Sequence, residues 1–254
     1  EFDHADIYNS LDDIKLAFQR FVNLIPRSGL LAVNAEDKNA VEISQRALCP
    51  VATFAVTKSA DWRAIDLETT ADSTSFTVLF HEKEWARISI QFPGEHNVRN
   101  ALACLAVGEH LGLDKNAMIE AMASFEGVKR RLELVGETRG IQVYDDFGHH
   151  PTAVRETLDG FRAKHKERKI WALYEPRSAT SRRNVFQKEF VEAFENADAV
   201  LIAPVHRPDK APQDQLFSCE QLVNDLRDRK KTSENLDIDA VSYTHLTLPT
   251  KVSV

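Results

Sequence analysis

YDDFGHHPTAV, residues 144–154, decides how the chain is read. Two carboxylates and two imidazoles follow the apolar run 141–144, and Pro151 opens the segment after them. Proline suits the first turn of a helix, where its missing N–H removes no bond. A strand that ends in polar residues just before a helix is the place where open α/β sheets bind ligands. The turn that holds Asp145, Asp146, His149 and His150 is therefore a candidate site. Taken alone, the segment fits equally well a polar loop whose aspartate caps the helix.

Working outward, the pattern from Leu132 runs strand, strand, helix, strand, helix, strand, helix. Residues 141–144, 170–173 and 199–202 are short apolar runs of the kind found in the middle of a parallel sheet, which predicts a doubly wound α/β domain over 131–240. Upstream, Leu11, Ile14, Phe18, Phe21 and Val22 form a helical stripe, with Ser10 as N-cap and Asp12 and Asp13 in the first turn; one face should pack on a sheet. Strands are predicted at 29–33, 51–56, 75–80 and 85–92, and helices at 39–47, 96–111 and 116–125. A glycine and three basic residues at 127–131 interrupt the periodicity and set the boundary of a first domain, 1–130. The chain opens in mid-unit with EFDHAD and looks cut. Residues 241–254, beginning VSYTHLTLPT, leave the α/β rhythm and resemble translated sequencing adaptor, so a non-native tail is expected there.

The composition, 43% apolar and 28% charged over 254 residues, suits one large core or two modest ones. No apolar run approaches the roughly eighteen residues of a membrane span, and a cytoplasmic site with no membrane partner is the expectation. A net charge of −7 argues against broad nucleic-acid binding. The three cysteines lack metal or disulfide spacing and read as small buried hydrophobes. Anions would be met by local basic clusters, Lys129-Arg130-Arg131 and Arg177 with Arg182-Arg183.

A further segment, GEHNVRNALA, places Asn97 and Asn100 three apart on a helix, where two amides can face a purine edge. Capping and surface roles fit them as well. EFDHAD, GEHNVRNALA, GVKRRLE, DDFGHHPTA and EPRSATSRRNVF, in this order, resemble the Mur ligases over residues 1 to about 240. The resemblance implies the second half of a central ATP-binding domain followed by a Rossmann-like C-terminal domain. It also implies an ATP- and Mg2+-dependent ligase of the cell-wall pathway that activates the carboxylate of UDP-N-acetylmuramate as an acyl phosphate and joins it to an amine. Cationic groups are needed because negative charges converge in such a step.

The resemblance implies roles residue by residue. His4 would bind magnesium; His96, Asn97 and Asn100 would meet adenine. Asp146 would hold the ribose, Phe147 would lie near the base, and Arg131 would reach the ATP phosphates as a catalytic residue. His149, also catalytic, would receive the amino component with Arg177, Arg182 and Arg183. RSATSRRNVFQ after Pro176 resembles the branch that adds the tripeptide L-Ala-γ-D-Glu-meso-diaminopimelate, with the L-alanine-adding branch as the alternative within the family and a non-catalytic nucleotide-binding module outside it. None of the nine glycines is followed by lysine, so this chain has no GxxxxGK[ST] phosphate loop. In the resemblance that loop belongs upstream, and the chain alone is expected to be inactive. Lys15 lies on the helix where several relatives carry a carbamylated lysine, but its spacing does not match.

Overall fold

The computed structural model describes residues 1–70 and 73–236; the predicted tail lies outside them. The described residues divide into two compact units, Glu1–Gly148 with Asp159–Lys166, and His149–Leu158 with the described residues from Glu167 onward.

The first unit carries a five-stranded sheet in the order β1 (Leu31–Asn34), β2 (Val51–Ala55), β3 (Trp62–Thr69), β4 (Thr74–Phe80), β5 (Lys83–Ile90). The first three strands run parallel, while β4 is antiparallel to both β3 and β5. Alternation along β3 to β5 turns Trp62, Ala64, Phe76, Val78, Ile88 and Ile90 inward. They pack against α3 (Glu95–His110), whose buried Val98, Ala101, Leu102, Leu105 and Ala106 follow a helical stripe. Met118 of α4 (Lys115–Ser124) completes this core. Gly108 gives Met118 room to pack: an added Cβ would stand 2.3 Å from the Met118 sulfur, and the thioether would have to shift.

Strand β3 was not expected from sequence. Its charged Arg63, Asp66 and Glu68 hide an alternation in which only Trp62 and Ala64 are buried. Helix α1 (Leu11–Val22) forms as predicted, with the Ser10 hydroxyl accepting from the Asp13 N–H. Its packing differs from the expectation: α1 lies against α2 (Lys38–Ser44), and Phe18 and Phe21 remain exposed. Of the cysteines, only Cys49 is buried; Cys104 is exposed and Cys219 intermediate, so the expectation of three buried thiols is corrected.

The run 141–144 also departs from the parallel-sheet expectation. It forms β7 (Ile141–Asp145), which pairs antiparallel with β6 (Glu133–Thr138) in a two-stranded sheet. Arg139 and Gly140, with φ of 49° and 78°, supply the two positive-φ positions of a tight hairpin turn. Short apolar runs do not reveal strand direction, and this two-residue connection is what sets it.

In the second unit, β8 (Trp171–Tyr174), β9 (Ala199–Ile202) and β10 (Thr232–Asn235) form a parallel sheet in the order β10-β9-β8. Strand β9 is central and buried along its whole length. The core adds Phe190 and Val191 of α6 (Glu189–Ala193), Phe194, and Leu222, Val223 and Leu226 of α7 (Cys219–Asp228). The polar β10 was not foreseen; its buried Ser233 hydroxyl donates to the Val223 carbonyl at 3.0 Å. Helix α5 (Pro151–Lys164) follows the quoted segment, with Pro151 as its first residue. The α/β architecture is the one expected, with parallel strands in the second unit as predicted.

Candidate functional site

Parallel strands β1 and β2 deliver Glu36 and Thr57 just beyond their carboxyl ends. The Glu36 carboxylate accepts the Thr57 N–H at 2.6 Å, the Thr57 hydroxyl, and the Arg99 Nε–H at 2.6 Å. Arg99 extends from α3 and also donates to Glu95 at 2.9 Å. Partial burial pushes the Glu36 carboxyl up, but the Thr57 and Arg99 bonds outweigh it and hold the group down to about 2. The same stretch of α3 presents His96, Asn97 and Asn100. Gly94, at φ 101°, leads into it, and a side chain there would meet the His96 ring at 3.0 Å. Asn97 Nδ2 donates to the Pro93 carbonyl at 2.8 Å, a bond that does not use its Oδ1, and Asn100 is exposed.

At the end of β7, both oxygens of Asp146 are held by the backbone: Oδ2 accepts from Leu132 at 2.9 Å and Oδ1 from Gly148 at 2.7 Å. An ionised carboxylate keeps further lone pairs after two such bonds and can still accept from a ligand. The Phe147 N–H donates to the Arg130 carbonyl at 2.8 Å, and the guanidinium carbons of Arg130 and Arg131 lie 5.2 and 5.8 Å from the Phe147 ring centroid. Asp146, Phe147 and Arg131 are thus gathered in one strapped turn.

In the second unit, His149 precedes α5, and its carbonyl is 3.5 Å from the Tyr174 hydroxyl. His150 caps the helix, its Nδ1 lying 3.3 Å from the Thr152 N–H. Arg177 is 59% exposed, with its NH1 3.8 Å from Glu175, which lies 3.3 Å from His206 Nδ1. A tight turn in which the Ser181 N–H donates to the Ser178 hydroxyl at 3.0 Å leads into Arg182 and Arg183. Arg183 NH1 reaches Gln215 at 3.2 Å. Among the described residues, the Nε atoms of both arginines are buried without a hydrogen-bond partner.

His4 is 66% exposed, with Asp3 as its neighbouring carboxylate. Among the described residues, no group of three or more His, Cys, Asp or Glu side chains is assembled for a metal ion. His4 could supply one ligand at most, and the residues in hand do not by themselves fit a magnesium site. Lys15 is ion-paired with Glu42 at 2.7 Å, a bond that raises its pKa and leaves the ammonium committed to a carboxylate.

The structure therefore groups Asp146, Phe147 and Arg131, and separately clusters His96, Asn97 and Asn100. Sequence reading missed Glu36, Arg99, Glu175 and His206. The signal available was positional: each carboxylate stands one or two residues past an apolar parallel strand.

Comparison with known proteins supplies the family. The Mur ligase middle domain matches residues 1–108, and the Mur ligase glutamate ligase domain matches residues 130–243. The chain is 32% identical over 246 residues to the UDP-N-acetylmuramate–L-alanine ligase of Geobacter sp. (strain M21), covering 92% of this chain and 53% of that protein. It is 35% identical over 226 residues to the enzyme of the same name from Geobacter sulfurreducens, covering 89% and 48%. Among solved structures, a murein peptide ligase from Psychrobacter arcticus superposes with a TM-score of 0.62 at 28% identity, over 90% of this chain and 47% of that one. A UDP-N-acetylmuramate-alanine ligase from Thermotoga maritima shares the fold, with a TM-score of 0.71 at 24% identity, over 92% and 48%. The chain spans about half the length of the curated relatives it matches. With both domains matched in order along most of its length, the chain belongs to the Mur ligase family.

Proposed function

We propose that the protein carrying this chain is an ATP-dependent ligase that forms an amide on the carboxylate of UDP-N-acetylmuramate, with L-alanine as the amino component. The observation that carries the nucleotide part is the strapped turn: Asp146 is fixed at a strand end by two backbone N–H groups, beside Phe147 and Arg131. In this reading Asp146 accepts the ribose hydroxyls, Phe147 flanks the base, and Asn97, Asn100 and His96 meet adenine. Arg131 faces the phosphates, where a guanidinium fork offsets the charge gathered as a carboxylate attacks the γ-phosphate. Acyl phosphate and ADP form, and the amine then displaces phosphate. His149, Arg177, Arg182 and Arg183 hold the amino component. Mg2+ would act on the phosphates, and His4 could offer it one ligand. L-alanine is favoured as acceptor by the names of relatives at 32–35% identity.

A specific observation favours a second reading, with L-alanyl-γ-D-glutamyl-meso-diaminopimelate as acceptor. The 177–183 segment holds three arginines, two of them with a buried Nε lacking a partner, which suits an acceptor with several carboxylates. The test joins this chain to the remaining half that its curated relatives have and measures ATP-dependent product with each acceptor by mass spectrometry. Product with L-alanine and little with the tripeptide is the expected result; the reverse moves the assignment to the second reading. No product with either refutes the ligase proposal. The chain without that half, lacking a phosphate loop, is expected to yield none.

A further inference from the structure

Glu36 and Arg99 lie outside every role assigned above, yet they form a closely bonded, half-buried charged pair in the first unit. Glu36 accepts from Thr57 just beyond the end of β2 and from Arg99 on α3, and Arg99 is bound again by Glu95 one turn earlier. The side chains of Glu36 and Arg99 are only 13% and 24% exposed. Three elements, the ends of β1 and β2 and the first turns of α3, are thereby fixed together. Arg99 sits between Asn97 and Asn100 in sequence, so any rotation or slippage of the helix start displaces both amides together.

We propose that Arg99, anchored on Glu36, is a positioning residue for base recognition: it holds the opening turns of α3 at the angle that lets Asn97 and Asn100 present their amides to a purine. The inference rests on the assignment of those two asparagines to adenine. Amides distinguish adenine from hypoxanthine because the 6-amino donor of one is a carbonyl acceptor in the other. A site built to match a donor rejects the analogue that lacks it only while its own groups stay in register. Two short charge-assisted bonds are lost in Arg99→Ala, and with them the fixed angle. Lysine at this position restores the charge but lacks the planar fork that reaches two carboxylates at once.

The experiment measures dissociation constants for ATP and ITP by calorimetry on the completed enzyme, with Arg99→Ala, Arg99→Lys and Glu36→Gln, and the unfolding temperature of each. Binding is read directly, so the result does not depend on ligase turnover. Arg99→Ala should weaken ATP about tenfold, the usual scale for a lost charge-assisted bond, while ITP changes little, so that the preference for ATP shrinks. Arg99→Lys should fall between, and Glu36→Gln should follow Arg99→Ala. An unchanged ATP-to-ITP ratio in a folded variant overturns the proposal, as does an equal loss of both nucleotides, which would mark a purely structural pair. If Arg99→Ala does not fold, Arg99→Lys carries the same comparison. Equal binding of ATP and ITP by the unsubstituted enzyme removes the base-reading assignment of Asn97 and Asn100, and this inference with it.

Discussion

The opening turns of α3 and the arginine loop after β8 are both polar and both lie beyond the ends of parallel strands, yet they are satisfied differently. At α3 the charges are matched within the protein: Glu36 takes Thr57 and Arg99, and Arg99 takes Glu95. In the loop, Arg182 and Arg183 bury Nε atoms without partners, and Arg177 is largely exposed. A buried donor left unmatched costs about 1–3 kcal/mol, so its persistence is informative. The first region matches its charges within the protein, and the second, among the described residues, leaves two buried donors unmatched.

The largest effect that would sharpen this comparison lies in the core beneath α3. Phe76 is fully buried against the helix, and Phe76→Ala should cost about 3–5 kcal/mol in denaturant unfolding. A loss under 1 kcal/mol would show that the sheet does not support the helix as described. Next comes pH. The folded Glu36 carboxyl, at about 2, lies below its ordinary value of 4.5, so its contribution is fully present above 4.5 and is lost as pH falls from there toward 2. The depression corresponds to about 3 kcal/mol as an upper figure. Glu36→Gln should therefore be less stable at neutral pH and show a flatter acid limb; parallel acid limbs for both proteins would break the claim. The smallest effect belongs to the loop. Arg182→Met removes an unmatched donor and should raise stability by about 1 kcal/mol, the low end of what such a group costs, whereas a large loss would mean that the arginine is a structural tie.

Much of this architecture was legible in the residues. The caps, the apolar stripe of α3 and the proline-opened α5 are local signals, and local chemistry decided them. Strand β3 escaped because the charges of Arg63, Asp66 and Glu68 mask the two inward positions, Trp62 and Ala64. Strand β7 was misread because so short a run, IQVYD, carries no mark of strand direction. The candidate site divides the same way: Asp146 and the asparagines stand in local motifs, but Glu36 and Arg99 are 63 residues apart and meet only through the fold.

The proposed division of roles between the Asp146 turn and the arginine loop is tested most directly by steady-state kinetics on the completed enzyme, varying ATP and amino component separately, with Asp146→Ala beside Arg183→Ala and unfolding temperatures taken for both. Asp146→Ala should raise the KM for ATP about tenfold or more, on the scale of lost charge-assisted bonds, and leave acceptor preference unchanged. Arg183→Ala should raise the KM for the amino component and leave that for ATP as it was. An unaltered ATP dependence in a folded Asp146→Ala enzyme would contradict the account.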